Sequence, residues 1–128
     1  MRVSQEQVAA FHDKMDYPRG TAPQLIDVEL VKQRYKFIEE ELIEYLEACS
    51  EENVVKVADA LADLLYVVLG TAVVHGIEVA PVFEEVHRSN MTKDRLDPVT
   101  KKGGKGPGYE PPRIAEILFT QRHLTEDR

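Results

Sequence analysis

The run Asp59-Ala60-Leu61-Ala62-Asp63-Leu64-Leu65-Tyr66-Val67-Val68-Leu69-Gly70-Thr71-Ala72-Val73-Val74 constrains the fold more than any other part of this chain. Its apolar part, Leu64 to Val74, has no polar face at helical spacing, and a helix of that kind is buried on every side. His75-Gly76 ends it, with glycine suited to a helix C-terminal cap. The apolar stretch falls short of the roughly 20 residues a membrane span requires. In a chain of 128 residues, one domain rather than two, so apolar a helix needs more cover than its own neighbours supply. The expectation is a homo-oligomer, dimer or tetramer, assembled through this third helix.

The rest of the chain reads as further helices separated by short breaks, an all-α domain with no alternating strand pattern of useful length. A first helix is expected after Ser4, with Ser4 and Gln7 as a capping box and Val8, Phe11 and Met15 as its apolar stripe. Pro18, Gly20 and Pro23 mark a loop. The second helix is expected from Asp27 as N-cap to about Cys49, and Ser50-Glu51-Glu52 reads as the capped start of the third, running from about Asn53. A fourth starts near Pro81 and ends between Asn90 and Lys93. Residues 97–112, rich in Lys, Gly and Pro, read as a flexible non-helical segment. A short helix over about Ile114 to Thr120 follows, with frayed final residues.

Carboxylates at helical spacing carry the chemistry. Glu40 and Glu44 lie four apart on the second helix, with Glu41 beside the apolar stripe. Asp59 and Asp63 lie four apart on the third, and Asp63 enters its most apolar part. A carboxylate there must be protonated, ion-paired or metal-bound. Antiparallel packing of the two helices brings the sets together, and all-oxygen ligation suits Mg2+, with Mn2+ as a substitute. A di-iron bundle needs two Glu-x-x-His pairs, and only Glu84 to His87 supplies one. His12, His75 and His123 read as surface or helix-end residues. Tyr45 and Tyr66 fall at core spacing, and Cys49 reads as a small apolar core residue. One cysteine forms no disulfide framework, which fits a cytoplasmic protein, as does an N-terminus without a signal-peptide pattern. A net charge of −7 argues against nucleic acid as a partner, and no membrane partner is expected.

Glu40-Glu41-x-x-Glu44, followed by an acidic pair on the next helix, resembles the all-α nucleotide pyrophosphohydrolases: the MazG-type enzymes, phosphoribosyl-ATP pyrophosphohydrolase and the dimeric dUTPases. Arg34-x-x-Phe37-Ile38 leads into the acids as in that family. Val86-His87-Arg88-Ser89-Asn90-Met91-Thr92-Lys93 and Lys105-Gly106-Pro107-Gly108-Tyr109-x-Pro111-Pro112 are similar to blocks of its phosphoribosyl-ATP pyrophosphohydrolase-like subgroup. One departure stands out: the usual second motif is Glu-x-x-Asp, whereas Ala60 occupies the Glu position and the acid is Asp59.

The resemblance implies a MazG-like bundle of four to five helices filling residues 1–128. It implies a Mg2+-dependent enzyme that hydrolyses a nucleoside triphosphate, or phosphoribosyl-ATP, to a monophosphate and pyrophosphate. Glu40, Glu41, Glu44 and Asp63 would form the metal core with Asp59 as a fifth member, and Glu41 or Glu44 would be the base. Asn90, Lys93, Lys101, Lys105 and Tyr109 are the candidates for substrate binding. A nucleotide-pool housecleaning role is favoured over histidine biosynthesis, and a non-catalytic acidic interaction module is the contrasting possibility.

Overall fold

A computed structural model describes residues 1–126, with side chains up to residue 121, so the His123 side chain and the chain end lie outside the described residues. Five helices follow one another: α1 (Arg2–Met15), α2 (Val28–Ser50), α3 (Val54–His75), α4 (Val79–Asn90) and α5 (Ile114–Glu126). The fold is an all-α bundle. Between α4 and α5, two-residue strands β1 (Arg95–Leu96) and β2 (Gly103–Gly104) pair antiparallel. Strands that short leave no alternation for a sequence reading to detect.

Caps set most boundaries. The Asp27 carboxylate accepts the Leu30 N–H at 2.9 Å and starts α2. Asn53, not Ser50, starts α3: its side-chain oxygen accepts the N–H groups of Val55 and Lys56, both at 3.1 Å. Ser50 instead donates back to the Glu47 carbonyl at 2.8 Å and remains in α2. Gly76 closes α3 with φ +70°, and a Cβ there would collide with the Ala22 backbone. The Ser4–Gln7 box is not used, because α1 begins earlier, at Arg2. The neighbouring Gln5 spans to the entrance of α4 instead, donating to the Ile77 carbonyl at 2.6 Å and accepting from the Val79 N–H at 2.9 Å. Pro81 stands within the first turn of α4, two residues after its start.

The α2–α3 hairpin is the largest interhelix contact, and α1 packs on the far half of α3. Val8 and Ala9 of α1 meet Leu69 and Val73 of α3 in the core, with Val79 against them. His12 belongs to this core, 2% exposed, rather than to the surface. Its Nδ1 lies 3.1 Å from the Pro18 carbonyl and its ring meets Tyr17 edge-on, so its polar atom is satisfied within the α1 turn. His75 is a helix-end residue, with Nδ1 2.8 Å from the Gln24 carbonyl. Cys49 is exposed, contrary to the core reading, because it falls on the outer face of α2. Tyr45 and Tyr66 are likewise partly in solvent, the latter edge-on to Phe11.

By length and composition α3 as a whole can cross a membrane, with a mean hydropathy of 1.9 over its most apolar window. The central helix of a folded core passes the same test, and α3 packs against both α1 and α2. Its packing is one-sided, however. Leu61, Leu65, Tyr66 and Val68 remain exposed, as do Leu42, Ile43 and Leu46 on α2.

Candidate active site

Glu41, Glu44 and Asp63 converge where α2 meets α3, each offering one oxygen with all three within 4.8 Å of one another. Glu41 and Glu44 are three apart on α2 and therefore share a face. Asp63 comes from the opposite helix, one turn before its most apolar part. Glu41 and Asp63 are half-buried and Glu44 is exposed, so the cluster is a shallow site open on one side.

Three carboxylates this close repel one another, and Glu41 and Asp63 are held above the ordinary carboxylate range. The Glu41 carboxyl is pushed up to about 7 from an ordinary 4.5. Burial is the largest cause, followed by a hydrogen bond with Glu44 and the negative charges of Glu44, Asp63 and Glu40. Asp63 is also raised, by burial and then by the charges of Asp59 and Glu44. Among the described residues, Glu41 Oε2 is the buried side-chain polar atom with no hydrogen-bond partner. Such an atom is costly unless something outside the protein satisfies it. A divalent cation meets the need: it removes the mutual repulsion and accepts the orphaned oxygen as a hard ligand. The residues present fit such an ion.

The remaining acids stand around this trio. Asp59 lies close enough to raise Asp63 and lines, with Glu44, Glu47, Glu51 and Lys56, a cleft of about 290 Å³. Glu40 is exposed. Its charge acts on Glu41, but it lines a separate groove of about 780 Å³ with Lys32, Lys36 and Phe37. The structure thus brings together one Glu pair spaced by three and a single Asp, with Asp59 and Glu40 at either edge.

A model of the phosphoribosyl-ATP pyrophosphohydrolase family matches residues 8–90, from within α1 to the end of α4. The chain belongs to the phosphoribosyl-ATP pyrophosphohydrolase family. No curated protein matches it. Membership makes it a pyrophosphohydrolase, an enzyme that cleaves phosphoric anhydride bonds. All of the trio falls inside the matched region. The β1–β2 hairpin and α5 fall outside it.

The cationic candidates gather elsewhere. Asn90 is the last residue of α4, and its carbonyl accepts the Lys93 N–H at 3.1 Å. The Lys93 stem lies under Gly103, where a Cβ would sit 2.9 Å from Cδ. Lys101, with φ +63°, is in the turn between the strands. Lys105 holds its ammonium 5.3 Å above the Tyr109 ring, a cation–π contact. Asp97 pins the turn by accepting the N–H groups of Val99 and Thr100 at 2.8 and 2.9 Å. The segment after the hairpin is strapped to α4. Ser89 donates to the Glu110 carbonyl at 2.8 Å, and Glu85 accepts both Arg88 and the Arg113 N–H. These bonds hold the Glu85 carboxyl down at about 2. Among the described residues, no hydrogen bond or ion pair joins Asn90, Lys93, Lys101, Lys105 or Tyr109 to the acidic trio, and α4 makes its main contacts with α5 and α1.

Arg34, which the sequence shows only as part of the Arg34-x-x-Phe37-Ile38 motif, is a structural element. It is 6% exposed and bridges α2 to α3, with Nε donating to Thr71 Oγ1 at 3.1 Å and Nη2 to the Val67 carbonyl at 2.9 Å. It stands seven residues before Glu41, one heptad along the same seam.

Proposed function

We propose that this enzyme hydrolyses a nucleoside triphosphate, or phosphoribosyl-ATP, to the monophosphate and pyrophosphate. In this reading a Mg2+ ion, replaceable by Mn2+, is held by Glu41, Glu44 and Asp63, with Asp59 and Glu40 able to reach further ligands at the edges. The observation that carries it is the buried, unpartnered Glu41 Oε2 inside a trio of converging carboxylates. When bound, the cation supplies charge neutralisation and Lewis-acid polarisation of a phosphoryl oxygen.

The protein's own part follows from its electrostatics. Without a cation, burial and the neighbouring acids Glu44, Asp63 and Glu40 raise the Glu41 carboxyl to about 7, and a bound cation would hold it ionised and able to accept a proton. Glu41 or Glu44 accepts the proton of the attacking water as the general base. The apolar seam behind Asp63 keeps bulk water to the open side and strengthens the electrostatic interactions on its own, drier side. The 780 Å³ groove beside Glu40 is large enough for a nucleoside or ribosyl group.

The exposed apolar side chains of α2 and α3 support a homo-oligomer, dimer or tetramer, in which a second copy covers Leu42, Ile43, Leu46, Leu61 and Leu65. Asn90, Lys93, Lys101, Lys105 and Tyr109 are proposed as phosphate- and base-binding groups presented by the α4 end and the hairpin. Housecleaning of the cytoplasmic nucleotide pool is the favoured role. A panel of canonical and modified nucleoside triphosphates together with phosphoribosyl-ATP, followed by chromatography of the products, tests the reading. Monophosphate and pyrophosphate in equal amounts are expected. Turnover restricted to phosphoribosyl-ATP would replace housecleaning with the biosynthetic role. Release of orthophosphate instead of pyrophosphate would refute the reaction itself.

A further inference from the structure

Along the α2–α3 seam, residues seven apart on each helix face one another in antiparallel order. Arg34 stands against Gly70, and Glu41 stands against Asp63. Arg34 is buried, and its two helix-bridging bonds go to a hydroxyl and a main-chain carbonyl. No salt bridge to Arg34 occurs among the described residues, and burial lowers its pKa. Its guanidinium also lies 5.2 Å over the Phe37 ring. A charge taken out of water in this way seldom adds stability over an apolar side chain of similar size. A polar group at one seam position does specify register, because every other alignment leaves it unpaired.

Gly70 is shaped to that purpose. A Cβ there would lie 2.6 Å from Arg34 Nη2 and 2.9 Å from His12 Nε2. The helix surface therefore has a notch at the one place where the guanidinium crosses it. A slip of one turn moves α3 by about 5.4 Å relative to α2, more than the 4.8 Å within which the three carboxylates meet.

We propose that Arg34, seated in the Gly70 notch and bonded to Thr71 and Val67, is a positioning residue that fixes the α2–α3 register and thereby builds the Glu41–Glu44–Asp63 site one heptad away. The consequence for the metal rests on the divalent-ion reading above; the register itself does not.

Two variants test it, Arg34→Met and Gly70→Ala, each read in two ways. Mn2+ titration of the purified full chain by calorimetry reads the site. Pulsed electron–electron resonance on metal-free protein reads the register, with spin labels at the exposed positions 32 and 58 in a Cys49→Ser background, diluted with unlabelled chain. Wild type is expected to show one narrow distance. Both variants are expected to weaken Mn2+ binding tenfold or more and to broaden that distance or shift it by about one helical turn. Arg34→Met is expected to keep its thermal midpoint, which separates positioning from a general loss of fold. In the double variant the losses should be less than additive, because both changes remove the same lock. An unchanged distance in Gly70→Ala, with Mn2+ affinity within twofold of wild type, overturns the proposal, whether or not Arg34→Met folds. Shifted distances in a protein that binds no Mn2+ at all would leave the register lock standing and refute the metal reading instead.

Discussion

Replacing Glu41 by glutamine should stabilise the metal-free enzyme while destroying its activity. Glu41 titrates near 7 in the folded chain against an ordinary 4.5, so folding takes up a proton between those two values. Metal-free stability therefore falls as pH rises from about 4.5 to about 7 and is level above that. The full interval corresponds to an upper bound of about 3 kcal/mol. Solvent screening of a half-buried carboxylate on an open site reduces it to about 1–2 kcal/mol. Glutamine keeps the shape and never ionises, so it recovers that loss. The assay is thermal unfolding in the presence of a chelator at pH 5, 6.5 and 8. For a domain of this size about 1–2 kcal/mol raises the midpoint by about 3–8 °C. Glu41→Gln should differ least from wild type at pH 5 and exceed it by that amount at pH 8, with pyrophosphate release down by about 100-fold or more. A variant less stable than wild type at pH 8 would mean that Glu41 is satisfied by the protein itself, and the argument from its unpartnered oxygen would fail.

The same acid makes metal binding proton-coupled. Below pH 7 the ion must displace the Glu41 proton, so Mn2+ affinity should rise by up to about tenfold per pH unit and level off above 7. Calorimetry in buffers of different ionisation enthalpy should find about one proton released at pH 6 and almost none at pH 8. Leu46, 69% exposed on the single chain, should tolerate charge only if nothing covers it. Leu46→Glu is expected to shift the particle to a smaller mass by light scattering, and an unchanged mass would remove this face from the interface. The Glu85 carboxylate, held at about 2 by Arg88 and the Arg113 N–H, contributes stability above its ordinary 4.5 that is lost as pH falls toward 2. Glu85→Gln should therefore speed amide hydrogen exchange at residues 109–113 at neutral pH, with little change in α2 and α3.

Local signals were legible where a single physical cause dominates. Asp27 and Gly76 each have one structural use at their positions, a side-chain acceptor for orphan N–H groups and a left-handed turn, and both serve it. The two acid sets were legible because helical spacing fixes which carboxylates share a face. Which of them meet was not, since it depends on how deep α2 sits on α3: the structure selects Glu41, Glu44 and Asp63, with Glu40 turned to the next groove. Ser50 was misread because serine, glutamate and asparagine within four residues all suit a helix start, and only Asn53 lies at the right distance from α3. His12 looked like a surface residue because its cover comes from α3 and the Tyr17 turn, remote or irregular in sequence. Arg34 was read as part of a motif and not as a packing element, because a buried arginine bridging to a carbonyl has no local signature. The match to Gly70 becomes visible only when the two helices are aligned antiparallel.

The central claim is that the trio at the α2–α3 seam performs divalent-dependent cleavage of a phosphoric anhydride. The most direct measurement is pyrophosphate release from the best substrate across a Mg2+ titration, for wild type, Glu44→Ala and Asp63→Ala, with helical content of each checked by circular dichroism. The account predicts no release in chelator, saturable activation by Mg2+ in wild type, and loss of about 100-fold or more in both folded variants. Undiminished release in chelator, or folded Asp63→Ala turning over at the wild-type rate, would contradict it.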